Sequence, residues 1–237
     1  YKNFLIRIFK VSKVLQKLTT KNSLEDMVQV LSEDGVFIIE DYLDSDTLQE
    51  LHDYVLNKCK TEAGHYEFGR NYRGPALSAY PTESPIYKVY DKPWMRNLYK
   101  KYKNGSSLVY GKNVYATHDY KYEDKLARNG WLHFDRNWCL KFFLYLTDID
   151  QTSGAFSCSI GSRSKGNELR HAAWHTNSYA KVLNRIDLDY PELVSKFPAQ
   201  PIEAKAGTLI VFDTDTFHKG GKCEEGKERL VVRLHCG

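Results

Sequence analysis

Apolar residues recur along this chain with two periods, and the change from one to the other divides it. Phe4, Ile8, Val11, Leu15 and Leu18 fall at steps of three and four, the stripe of an amphipathic helix within residues 1–22. Leu24, Met27, Val28 and Leu31 mark a second helix. Ser23-x-x-Asp26 gives it a capping-box-like start and Gly35 a stop. VFIIEDYL, residues 36–43, reads as a strand, and Asp44 caps a third helix with the stripe Leu48, Leu51, Val55. From residue 107 the period becomes two. In SLVYGKNVYATHDYKY, Val114, Ala116, His118 and Tyr120 share one face, and Tyr115, Thr117 and Asp119 the other. CLKFFLYLTDI, GTLIVFD and ERLVVRLHC continue the strands, while residues 165–200 interrupt them with a helical insert. The expected organisation is one mainly β (α+β) domain over residues 23–237, braced by N-terminal helices and preceded by the 1–22 extension.

Composition narrows this reading. At 237 residues, 42% of them hydrophobic, the chain can bury a substantial core as a single domain. A net charge of +4 is too mild to imply nucleic acid, and no nucleic-acid-binding motif occurs. The five cysteines are scattered without a CxxC, which fits reduced thiols and a cytoplasmic protein. No apolar run approaches a membrane span, and no signal-peptide pattern is present. Residues 1–22 carry Lys and Arg but no acid, so their helix either rests on an anionic membrane surface or packs on its own domain. Oligomeric state leaves no mark in the sequence.

Candidate chemistry concentrates in WLHFDRNW, residues 131–138. On a strand, His133 and Asp135 aim an imidazole and a carboxylate at one spot while Phe134 turns away. These are two parts of the facial triad that holds iron(II) and leaves three positions open. A second imidazole must come from afar, and His218, just after the apolar run GTLIVFD, supplies it. Arg229 follows one strand later as a cation for an acidic co-substrate.

This order of HxD, distant His and Arg resembles the iron(II)/2-oxoglutarate dioxygenases, and specifically the phytanoyl-CoA dioxygenase family. The block LKFFLYLTDIDQTSGAFSCSIGSRSKG, residues 140–166, strengthens the likeness, although Arg163 stands where that family usually has His. The resemblance runs from about Ser23 to the C-terminus. It implies a double-stranded β-helix, the cupin-like jelly roll, with iron(II) on His133, Asp135 and His218. It also implies 2-oxoglutarate on that metal with its distal carboxylate on Arg229, O2 as second co-substrate, and hydroxylation of a small molecule with release of succinate and CO2. A carboxylate at Asp135 fills the place that chloride takes in halogenating relatives.

Further candidates are less sharply defined. Tyr120 or His118 could lend a polar group to 2-oxoglutarate, and Trp138 could cover it. Lys141 shares a face with Phe143 and Tyr145 and either snorkels to the sheet edge or points inward at the site. Arg70 and Arg73, in the aperiodic GHYEFGRNYRGP, could meet an anionic substrate at the mouth. The alternative function is a metal-binding cupin-type jelly roll without redox turnover, which would not need Arg229.

Overall fold

The computed structural model describes residues 13–62, 64–66, 69–103, 109–121, 130–175 and 184–237. In order these form β1 (Gln16–Lys17), α1 (Leu24–Glu33), β2 (Val36–Ile39), α2 (Ser45–Thr61), β3 (Gly64–Tyr66), β4 (Gly69–Arg73), α3 (Pro85–Tyr90), α4 (Pro93–Tyr102), β5 (Asn113–Asp119) and β6 (Leu140–Tyr145). There follow β7 (Ser157–Cys158), α5 (Arg163–His175), α6 (Ile186–Asp189), α7 (Pro191–Lys196), β8 (Gln200–Pro201), β9 (Leu209–Asp213), β10 (His218–Lys219) and β11 (Arg229–Cys236). An eight-stranded sheet in the order β1-β2-β9-β6-β11-β5-β4-β3 faces a three-stranded sheet β10-β7-β8. This is the expected jelly roll.

The alternation of the central strands shows what covers each face. Phe37, Val211, Phe142, Leu144, Val232 and Leu234 point into a core shared with Met27, Leu51, Val55 and Leu98 of the N-terminal helices. Their neighbours Ile38, Ile210, Phe212, Phe143, Tyr145 and Val231 point between the two sheets, onto Phe156, Cys158 and Ile202. Both faces are covered, so β2, β6 and β9 read as almost continuous apolar runs. The caps form as the sequence suggests. Ser23 Oγ accepts from the Asp26 amide at 3.0 Å, and Asp44 Oδ1 from the Thr47 amide at 2.9 Å.

The N-terminal extension differs from expectation. Phe4, Ile8 and Val11 lie outside the described residues, but the rest of the stripe is extended, with β1 pairing parallel to β2. Leu15 packs into the core between the sheets and Leu18 into the core under the helices. A three-residue step puts side chains on opposite faces of a strand, and here both faces are apolar, so the pattern serves a strand as well as a helix. The mouth loop also differs, because Arg70 and Arg73 lie on β4, paired with β5. Among the described residues no helix is long and apolar enough to cross a membrane.

Candidate metal centre

His133 and His218 meet because β10 and the HxD segment pair through two backbone bonds, His133 N–H to the His218 carbonyl at 2.9 Å and the reverse at 2.7 Å. The segment 131–138 is otherwise irregular rather than the expected strand. It is pinned from beneath by the end of the insert, where the Ile186 amide donates to the Leu132 carbonyl and Asn184 Nδ2 to the Phe134 carbonyl. Phe134 turns away as expected, into an apolar cluster with Leu132, Ile186, Leu193 and Phe217.

Each imidazole gives its Nδ1 proton to a nearby carbonyl, His133 to Trp131 at 2.6 Å and His218 to Thr216 at 2.8 Å. That fixes the tautomer and leaves the Nε2 lone pairs as the ligating atoms. Nε2 of His133 lies 3.7 Å and Nε2 of His218 lies 3.4 Å from the same oxygen, Asp135 Oδ1. Two atoms each about 2.1 Å from one ion can stand up to about 4.2 Å apart, so both separations are within a metal's reach. The three residues form a group able to hold an ion, with ligand atoms within 4.8 Å of one another.

The second oxygen of Asp135 is engaged by Lys141 Nζ at 2.6 Å. Lys141 therefore points inward, and the carboxylate presents one oxygen to the histidines and the other to an ammonium. Burial alone would raise the Asp135 pKa, but the Lys141 ammonium and the neighbouring His218 hold it well below the usual carboxylate range. Burial, helped by the neighbouring His218, pushes His133 down to about 4. A neutral imidazole and an ionised carboxylate are the protonation states a metal requires.

The lowered His133 pKa has a stability consequence. Below pH 6.5 the unfolded chain protonates this histidine while the folded one does not, so stability falls as pH falls, until the folded group titrates near 4. In urea titrations of the metal-free protein, His133→Asn should remove a slope of about 1.4 kcal/mol per pH unit across that window. An unchanged slope would show that His133 is not held neutral.

Arg229 sits at the start of β11, on the inner face with Val231 and Arg233. Nε and Nη2 bond Asp119 Oδ2, the former at 2.9 Å, and Nη1 donates to the Gly154 carbonyl. Across the sheet the triad lies at the level of Lys141, Phe212 and His235, with Arg233 one two-residue step along β11 and Arg229 further on.

The other candidates divide by face. His118 pairs with Leu230 and Arg70, on the helix-covered side, where it bonds Glu228 and packs at a tilt against Tyr120, 4.9 Å between ring centres. His118, with Tyr120 against it, thus lies on the face of β5 opposite to Asp119 and Arg229. The residues of β5 on the inner face, with Arg229 and Arg233, are Thr117 and Asp119, the alternate set. Arg70 follows His118 outward and donates to the Lys60 carbonyl at 2.8 Å, whereas Arg73 pairs with Tyr115 on the inner face, three strands from β6. Trp138 is largely buried as a brace of the core, and it also lines the cleft that opens at Asp135. Its ring stacks on Tyr99 and its Nε1 donates to buried Asp213 at 2.8 Å.

Asp213 and Asp215 are the supports that sequence reasoning did not single out. Both are fully buried, Asp213 at the end of β9 and Asp215 in the turn that leads from it to His218. Asp213 accepts from Trp138, Tyr102 at 2.7 Å, Arg163 Nε at 3.1 Å and the Asp215 amide at 2.8 Å. Asp215 takes a bidentate grip from Arg170 at 2.6 and 3.0 Å, plus Asn167. A Cβ on Gly166 of α5 would run into the Asp215 carbonyl, so the helix approaches this loop as closely as only glycine permits. Arg163, the departure from the family loop, is thus an ionic partner inside this network.

Known proteins agree with this architecture. The model of the phytanoyl-CoA dioxygenase (PhyH) family matches residues 111–230, just over half of the chain. Among solved structures, the epimerase SnoN of nogalamycin biosynthesis, in complex with Fe3+, alpha ketoglutarate and nogalamycin RO, is similar with a TM-score of 0.66. It is 14% identical, over 90% of this chain and 82% of that one. The carbocyclase SnoK of the same biosynthesis gives 0.63 at 16% identity, covering 93% and 86%. HygX from Streptomyces hygroscopicus, with nickel and 2-oxoglutarate bound, gives 0.59 at 17% identity, covering 90% and 86%. No curated protein matches. The family's cofactors are iron(II) and 2-oxoglutarate, with O2 as co-substrate. The matched segment contains the HxD pair, β6 and Arg229 in the order that first suggested the likeness, and the chain belongs to the phytanoyl-CoA dioxygenase family.

Proposed function

We propose that this protein is an iron(II)- and 2-oxoglutarate-dependent oxygenase that hydroxylates a small molecule, releasing succinate and CO2. The observation that carries the reading is the convergence of His133 Nε2, His218 Nε2 and Asp135 Oδ1 in a family that uses this cofactor set. Iron(II) held there would supply the oxidising power, and the protein's part is to bind, orient and exclude water. The two backbone-anchored imidazoles fix two ligands without any side-chain rearrangement. Lys141 keeps Asp135 to a single ligating oxygen and so preserves open positions for the co-substrates. Its charge also offsets that of the carboxylate, which favours a dianionic diacid at the centre.

Arg229 is proposed to bind the distal carboxylate of 2-oxoglutarate. Asp119 and Gly154 hold its guanidinium in one orientation before the diacid arrives, which lowers the ordering cost of binding. Arg229→Lys keeps the charge but loses the planar fork. It should raise KM for 2-oxoglutarate roughly tenfold while leaving kcat within about threefold, as for a contact made equally in the ground and transition states. Succinate formation against 2-oxoglutarate concentration reads this. An unchanged KM in Arg229→Lys with a raised KM in Arg233→Lys would move the role to Arg233, which lies on the same face and nearer the triad.

Hydroxylation is preferred to a metal-binding role without turnover because Arg229 is built into the inner face with its own carboxylate support. Oxygen uptake with iron(II), ascorbate and 2-oxoglutarate decides between the two. No uptake with any metabolite, in protein that binds both metal and 2-oxoglutarate, would sink the oxygenase reading.

A further inference from the structure

An open cleft of about 340 Å³ runs outward from Asp135, lined in part by Lys112, Asn113, Arg136 and His235. Its volume lies within the range of small-molecule sites. His235 is on the inner face of β11, in register with Lys141 on one side and Asn113 on the other, and its ring packs on Tyr115 at 4.5 Å. Its Nε2 is buried and has no hydrogen-bond partner. A buried polar nitrogen left in that state costs about 1–3 kcal/mol, and such atoms are rare unless a ligand or water completes them. Burial, with Lys141 and Arg233 nearby, pushes His235 down to about 2, so the ring is neutral and offers one donor and one acceptor.

Among the described residues Asp135 is the sole acidic side chain on the cleft's lining, and Lys141 already answers it, so the charge left over there is positive. Lys112 and Arg136 stand exposed at the lip. We propose that this cleft seats the molecule to be oxidised, that the molecule carries a carboxylate or phosphate ester met by Arg136 and Lys112, and that His235 Nε2 hydrogen-bonds it beside the metal position. The inference rests on the triad being the metal centre. His235 is then a substrate-binding residue.

The test uses full-length protein loaded with zinc(II) and 2-oxoglutarate, so that nothing turns over. Phenyl phosphate, benzoate, benzyl alcohol and benzylamine are titrated by ligand-observed NMR. The two anions are expected to bind roughly tenfold more tightly than benzylamine, and Lys112→Glu/Arg136→Glu to erase that preference. Which anion binds better separates a phosphate ester from a carboxylate. His235→Ala should weaken both anions roughly fivefold, and His235→Asn, which restores a polar atom, should recover part of the loss. Binding of the anions alike to wild type and the charge-reversed variant overturns the proposal, as does preference for benzylamine or no anion binding. Zinc(II) and 2-oxoglutarate are titrated in the same samples. Uptake of both with any of those outcomes overturns this inference alone, whereas no uptake by the wild type overturns the metal-centre reading and this inference with it.

Discussion

Asp135→Ala is expected to lose metal binding and, with it, all substrate-dependent release of succinate from 2-oxoglutarate. The change removes the one charged ligand, but its effect goes beyond a missing oxygen. Lys141 Nζ, now 2.6 Å from Asp135 Oδ2, would remain largely buried with no carboxylate beside it. The site would go from a carboxylate balanced by an ammonium to an uncompensated positive charge, which repels a divalent cation. The loss should therefore exceed the roughly 10–100-fold that removal of an outer-shell partner costs a metal site. His218→Ala, which keeps the Asp135–Lys141 pair, should be damaging but less so. The measurements are iron(II) or nickel(II) affinity by calorimetry and succinate by chromatography, with thermal melting of the metal-free variants to exclude unfolding. Succinate release at the wild-type rate in both variants would remove the triad as the reactive centre.

How much of this was visible in the sequence depends on whether a signal is local or lies between strands. The N-terminal caps at Ser23 and Asp44 are set by residues three apart, and they formed as read. The metal group was legible because its residue types are unusual in combination and follow a family order. For β5 the period of two correctly separated His118 and Tyr120 from Thr117 and Asp119, but periodicity does not say which set faces inward. The register of β11 against β5 decides it, by bringing Asp119 opposite Arg229, and register is a long-range property. Arg70 was misplaced for the same reason. GRNYR has no regular alternation of polarity because β4 lies toward the sheet edge, so its strand character comes from pairing with β5 rather than from its own pattern. Leu15 and Leu18 followed a helical step that a two-faced buried strand can also carry.

The acidic pair Asp213 and Asp215 was the costliest omission, since DTDT reads as a polar turn and is instead, among the described residues, the most deeply buried ionic part of the protein. Asp213→Asn makes this measurable. The amide keeps the shape, but it replaces an acceptor oxygen with a donor that faces Tyr102 and Arg163 or Trp138 and the Asp215 amide, and it leaves the Arg163 charge without its partner. Breaking a buried pair from one side costs about 3–5 kcal/mol. For a chain of this size that corresponds to a fall in Tm of roughly 6–20 °C. Metal affinity should fall as well, because this loop carries Thr216, whose carbonyl holds His218 Nδ1, and Thr214, whose carbonyl accepts from the Asp135 amide. Asp213→Asn/Arg163→Met removes the stranded charge along with the pair, and it should regain part of the lost Tm without regaining metal affinity to the same degree. The double-mutant cycle gives the coupling of the two side chains directly. A drop in Tm below about 2 °C for Asp213→Asn, or strict additivity with Arg163→Met, would mean that the loop carrying His218 is held by its backbone bonds and by Arg170 on Asp215, not by this carboxylate.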